Sequence, residues 1–310
     1  MLRMNRLSNT STYKHLKERL SSVFLWGTPV SLYHVLSIFF KKIITFDVDQ
    51  RAAAVSYSFL LAVFPAFIFL FTLIPFIPIE HLDRQIMLFL KDVMPKGIYE
   101  TAATTIHEIV SRKRSDILSF GFFFTVYAAT NGMMALMRAF NMALHTRERR
   151  TFLKARMIAG FLTLLLILVM IAAIVLLIVG QIIIDFLHTK GFLGDTFNIY
   201  LLQIVRYASI FVIFYIGISV IYYFAPEFKD KFRFFNIGGI FSSIFCILAT
   251  NLFSFYITNF NSYNKLYGSI GTLIALMVWI YLISLILILG FEINISIRVA
   301  LSNEKEKTPQ

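Results

Sequence analysis

The chain has 310 residues, 58% of them hydrophobic and 15% charged, with 29 Lys and Arg against 17 Asp and Glu and a formal net charge of +12. That balance excludes an ordinary soluble domain, in which about a quarter of residues are charged, and the usual length-per-domain rule does not apply to a multi-span bundle. The positive excess reads as Lys and Arg facing anionic headgroups on the cytoplasmic side rather than as a nucleic-acid surface, because no basic tract is interleaved with aromatics outside the apolar segments.

Residues 1–50 are expected to form a cytoplasmic arm followed by an interfacial helix. Met1 to Leu20 is polar and basic, and no small-residue cleavage site follows, so no cleavable signal peptide is expected. Val23 to Phe40 is apolar but interrupted by Gly27, Pro29 and His34. Val30, Tyr33, Leu36 and Phe40 share a helical face and Lys41 and Lys42 follow, which fits a helix lying on the membrane better than one crossing it. A seventh span there is the alternative, and it would place the N-terminus on the other side.

The membrane domain is expected over 51–297, with spans near 54–76, 117–137, 157–184, 204–224, 236–258 and 268–292. The first begins with small residues (Ala52, Ala53, Ala54, Ser56, Ser58) that permit close helix approach, and Pro65 removes a backbone hydrogen bond inside it, predicting a kink. Pro75 and Pro78 end it. Residues 80–114 show the periodicity of two amphipathic helices broken at Pro95 and are expected to form a hairpin on the extracytoplasmic side. The last span is the clearest. No charged residue lies between Lys265 and Glu292, and a run of about 20 apolar residues suffices to cross the hydrocarbon core. Tyr263 and Tyr267 flank one end, and Glu292, Asn294 and Arg298 the other, as interfacial anchors. Residues 298–310 are expected to be a cytoplasmic tail. No internal repeat is evident.

With six spans, one side of the membrane carries 20 of the 29 Lys and Arg residues and the other 9, counting Arg206 with the latter. The positive-inside rule therefore places both termini in the cytoplasm. Arg112, Lys113 and Arg114 run against this locally, but a long loop with its own helices translocates despite such charge.

Four blocks of the chain, taken as a set, are similar to the YihY/virulence factor BrkB family of bacterial membrane proteins. They are RAAAVSYSFLLAVFPAFIFL (51–70), Val93-Met94-Pro95, the basic segment 131–156, and 222–294 with its Tyr-x-x-Pro, Tyr-Gly-Ser and Leu-Gly-x-Glu-x-Asn elements. Phe291 stands where a smaller residue is commoner, and Tyr57-Ser58 replaces a frequent Tyr-Tyr pair. The resemblance implies six helical spans in a bacterial inner membrane and does not imply a defined reaction.

Candidate functional residues are few. Tyr127, Asn131, Met134, Arg138 and Asn141 fall within an ~80° sector of the second span. Polar groups at that depth are expected to line a path for a polar solute or anion, or else to serve interhelical hydrogen bonding with Arg138 reaching the interface. Glu292 is expected to pair with Arg51 or a loop arginine, a proton-coupling role being the alternative. Gly268, Thr272, Ala275 and Trp279 share a face that reads as a packing seam. Asp185 and His188 have a spacing compatible with a metal, but two ligands at an interface make a weak signal. The single cysteine, Cys246, allows no intrachain disulfide and no cysteine metal cluster.

Enzyme signatures are absent: there is no His-x-x-x-His, Gly-x-Ser-x-Gly, phosphate loop or paired-carboxylate cluster. Members of the resembled family carry a ribonuclease label, which nothing in the hydrophilic segments supports. The expectation is therefore an all-α, polytopic inner-membrane bundle without catalytic residues, cofactor or metal. Its partners are membrane lipids, including anionic headgroups, with no nucleic acid; a homo-oligomer and an unidentified small-molecule substrate stay open. A permease-like role for a small polar or amphiphilic solute leads, the alternative being a non-transporting envelope protein that organises lipids or partner proteins.

Overall fold

The computed structural model describes residues 18–19, 21–24, 30–45, 47–73, 115–144, 146, 149–189, 196–227, 234–259 and 269–307. Within them lie seven helices: α1 (Leu32–Thr45), α2 (Val48–Leu73), α3 (Ser115–Ala143), α4 (Phe152–Thr189), α5 (Thr196–Phe224), α6 (Ile237–Asn259) and α7 (Ser269–Lys307). The protein is an all-α polytopic membrane bundle. Five helices, α3 to α7, are long and apolar enough to cross a membrane. α2 has 26 residues and carries no charge from Ala52 to Leu73, so at ~1.5 Å per residue its length also suffices. The expected hairpin at 80–114 lies outside the described residues.

Each helix packs on the next from α2 to α7, and α7 returns to α2, so six helices close into a ring. Arg51, in the first turn of α2, reaches Ala139 near the end of α3 and Glu292 in the later half of α7. α2 therefore runs antiparallel to both neighbours. The end of the bundle where α2 begins is called the near end below.

α1 has 14 residues, about 21 Å of helix, which is short of the ~30 Å hydrocarbon core. It starts at Leu32 rather than Val23 because the chain before it folds back: the Leu32 amide donates to the Val23 carbonyl at 2.8 Å, and Phe24 bridges to Ser31. Ser31 caps its first turn through the His34 amide. Val30 and Val35, with Ile38 beside them, then bury against Ile297, Ala300 and Leu301 of α7. The residues after Arg298, read from the sequence as a tail, are thus helical to Lys307 and hold α1 in place. Asp47, in the short turn to α2, has φ 37°, a left-handed conformation that Asp tolerates better than most residues.

The near end is stitched across three helices. Arg150 donates to the carbonyls of Phe224, Ala225 and Pro226 (3.5, 3.2 and 2.7 Å), satisfying groups left open where α5 stops. Glu227 accepts from the backbone amides of Arg149 and Arg150, while its own amide donates to Asn141 Oδ1 at 2.8 Å. Asn141, placed by its spacing on a polar stripe, is buried in this junction.

Candidate functional site

At the near end of the ring three charges meet where α1, α2 and α7 converge. Glu292, fully buried on α7, receives Arg51 Nη2 at 2.7 Å, and Lys42 Nζ lies 3.8 Å from its other oxygen. The two cations also donate to the carbonyls of Ala139 (3.1 Å) and Ala143 (3.4 Å). These carbonyls belong to the last turns of α3, where the helix dipole is negative. Burial holds the Lys42 ammonium below the usual lysine pKa of 10.5, opposed by the Glu292 carboxylate and reinforced by Arg51. Of the partners the sequence offered Glu292, Arg51 is the one in contact; Lys42 was not foreseen, since nothing local sets it apart from Lys41.

Inside this charged lock lies an apolar plug. Met133, Met137 and Phe140 of α3, Tyr222 of α5 and Ile288 and Phe291 of α7 are at most 1% exposed. Phe140 stacks on Phe291 with ring centroids 4.2 Å apart, and Tyr222 stands 5.6 Å from both. Phe291 is completely buried among them. The Tyr222 hydroxyl donates to the Leu287 carbonyl at 2.7 Å and lies 2.7 Å from Ser242 Oγ, so its polar end is satisfied inside the apolar cluster.

α6 and α7 cross at glycines beside this plug. A Cβ on Gly238 would run into the Gly290 carbonyl oxygen, and one on Gly290 would meet Ser242 Oγ and the Tyr222 hydroxyl. Asn294 Oδ1 accepts from the Gly238 amide and its Nδ2 donates to Asn236 Oδ1, each at 2.8 Å. Asn236 Oδ1 also accepts the Gly239 amide, capping α6. The Gly-x-Glu-x-Asn residues of α7 therefore fix three neighbours in turn: Gly290 admits α6, Glu292 binds α1 and α2, and Asn294 orders the start of α6.

The plug does not continue along the bundle. Phe122 and Val126 occupy the azimuth of Met133, Met137 and Phe140 on α3 to within about 60° at 100° per residue. Yet both are 45% exposed, against 1% or less for the other three. Along this azimuth α3 is buried at the near end and exposed toward the far end, where Phe120, Phe123, Phe124 and Tyr127 on its other faces are exposed as well.

The polar stripe on α3 points elsewhere. Tyr127 is 56% exposed, Arg138 is exposed, Asn131 and Met134 are half-buried, and Asn141 is buried in the junction described above. The five are not brought together around an interior space. A residue that the sequence reading left out of the stripe organises part of it instead: Arg156 of α4 donates to Asn131 Oδ1 at 2.6 Å and lies 4.3 Å from the centroid of the Tyr127 ring. Its place in a basic segment hid that role.

Pro65 is buried within α2, which continues through it to Leu73. Of the four residues grouped as a seam, Ala275 is buried and Trp279 stacks on Phe253 of α6 at 5.6 Å; Thr272 is helical, and Gly268 lies outside the described residues, as do Tyr263 and Tyr267. Asp185 and His188 fall in the last turns of α4. Among the described residues no group of three His, Cys, Asp or Glu side chains could hold a metal ion.

The family model for virulence factor BrkB matches residues 39–310. Relatives include YfkH of Bacillus subtilis, a protein styled ribonuclease-like, which is 30% identical over 274 residues, covering 87% of this chain and 95% of YfkH. A UPF0761 membrane protein of Mannheimia succiniciproducens is 24% identical over 261 residues (84% of this chain, 88% of the relative), and one of Coxiella burnetii is 27% identical over 250 residues (79% and 86%). No solved structure matches the chain.

Proposed function

The chain belongs to the virulence factor BrkB family, and on that premise we propose that this multi-pass bacterial membrane protein is a permease-like transporter of a small polar or amphiphilic solute. In this reading it sits in the inner membrane with six crossings, α2 to α7, and both termini in the cytoplasm, as the 20-to-9 charge bias indicates. The near end then faces the cytoplasm. The observation that carries the reading is the change along one face of α3, from the sealed plug at Met133, Met137 and Phe140 to the exposed Phe122 and Val126. In this reading the exposed stretch borders a water-filled space closed at the near end, as one state of an alternating-access device needs.

The ribonuclease-like label of YfkH is not carried over. Glu292 is enclosed by Arg51 and Lys42, and among the described residues no second acid or imidazole is paired with it to share general acid–base work.

Thiol accessibility tests the reading, because Cys246 is the single native cysteine and can be replaced by Ala. In that background V126C should react with a membrane-impermeant maleimide added from the extracytoplasmic side, and M137C should be protected. If V126C reacts only with a lipid-soluble maleimide, that face meets acyl chains rather than water, and the permease reading fails in favour of a non-transporting envelope protein.

A further inference from the structure

We propose that the outward flank formed by α3 and α4 binds the headgroup of an anionic phospholipid, with Arg156, Asn131 and Arg138 as its donors. The guanidinium of Arg156 is set before any ligand arrives. Asn131 Oδ1 holds one nitrogen at 2.6 Å, while the rings of Tyr127 and Phe152 lie 4.3 and 5.9 Å from its central carbon. That single bond leaves most of the fork's five N–H donors directed elsewhere, and the Asn131 amide nitrogen adds further donors. Arg138 lies on the same face of α3, two turns or about 10 Å nearer the near end. Among the described residues neither arginine makes an ion pair; the salt bridges at this end go to Glu292 from Lys42 and Arg51.

Among the described residues no acid lies between these two cations and the amide, which calls for an anion, and planar guanidinium groups suit phosphate. Their surroundings select a lipid rather than a free ion. Going from Arg156 toward the far end, the flank is apolar and exposed: Phe120 and Phe123 on α3, at 73% and 71%, and Ile167 and Ile171 on α4, at 46% and 51%. These share the azimuth of Tyr127 and of Arg156 respectively to within about 60°. A phosphate at the arginines would let its acyl chains lie along these residues. The inference does not rest on the permease reading, since the site lies on the outer flank of the ring and not on the face that carries the plug.

The test uses the full-length protein, delipidated in detergent and titrated with phosphatidylglycerol, phosphatidylcholine or inorganic phosphate, with bound lipid counted by native mass spectrometry. Phosphatidylglycerol should bind at least about tenfold more tightly than phosphatidylcholine, the scale of one charge-assisted contact. R138Q and R156Q should each lose most of that preference, and R156K should retain part of it. Arg138 is exposed, so R138Q keeps the question open to measurement even if R156Q proves unstable. Equal binding of the two lipids, or an unchanged preference in R138Q, overturns the proposal. So does displacement of phosphatidylglycerol by inorganic phosphate at the same concentration, which would mark a site for a soluble anion.

Discussion

Glu292 follows 23 uncharged residues of α7 and meets Arg51 at 2.7 Å and Lys42 at 3.8 Å. A buried pair of this kind contributes little net stability compared with a well-packed apolar replacement, but removing one member leaves its partner uncompensated. Glu292→Leu should therefore destabilise the protein by roughly 3–5 kcal/mol, seen as a lower thermal midpoint in detergent. Arg51→Met added to Glu292→Leu should recover part of the loss; if the double variant is no better than the single one, the two charges are not coupled. The sequence offered Arg51 among the possible partners because both residues flank apolar spans. It could not select between Arg51 and a loop arginine, since that choice depends on α7 closing the ring against α2. Arg138 illustrates the reverse case. A helical wheel groups it with Tyr127 and Asn131, but the wheel carries no information about which side of α3 the other helices occupy.

At the scale of elements, α1 and the end of α7 depend on one another. α1 is too short to cross the membrane, and its buried residues meet α7 at Ile297, Ala300 and Leu301. Ala300 is completely buried, so a larger side chain has no room there, and overpacking of this kind costs about 1–3 kcal/mol. Ala300→Phe should release α1 locally, raising hydrogen exchange over 32–45 while leaving α3 and α5 protected. Unchanged exchange would mean that α1 is held by something other than this seam. The apolar runs inside α4, α5 and α6 were legible because lipid makes an uninterrupted stretch of hydrophobic residues the dominant signal, but α4 and α5 extend beyond the expected 157–184 and 204–224, to Phe152–Thr189 and Thr196–Phe224. The helical extension of α7 to Lys307 was not, because its residues become polar and only the docking of α1 gives one face of that segment something to bury against.

For the whole molecule, the closed ring and the charge bias bear on topology together. The Arg51–Glu292 pair places the start of α2 and the later part of α7 at the same end, as the proposed six crossings would. Reporter fusions at Gln310 and near Asn5 should both give cytoplasmic signals. An external signal from either one would overturn the assignment of the near end to the cytoplasm and with it the direction in which the ring opens.

The sequence by itself determined that this is a helical membrane protein, where its long apolar runs lie, its family resemblance and the short list of polar residues worth examining. Those properties follow from local composition, because hydrocarbon penalises every unpaired polar group and leaves helices as the natural solution for such runs. Tertiary structure alone decided that Phe140, Tyr222 and Phe291 pack together in a buried cluster, that Val126 is exposed on the same azimuth of α3, that the polar stripe meets Arg156, and that Gly238 and Gly290 mark a crossing. Each of these depends on residues far apart in the chain meeting across the ring. In an all-apolar helix the periodicity that would reveal the inner face is erased, since residues facing lipid and residues facing neighbouring helices are equally hydrophobic.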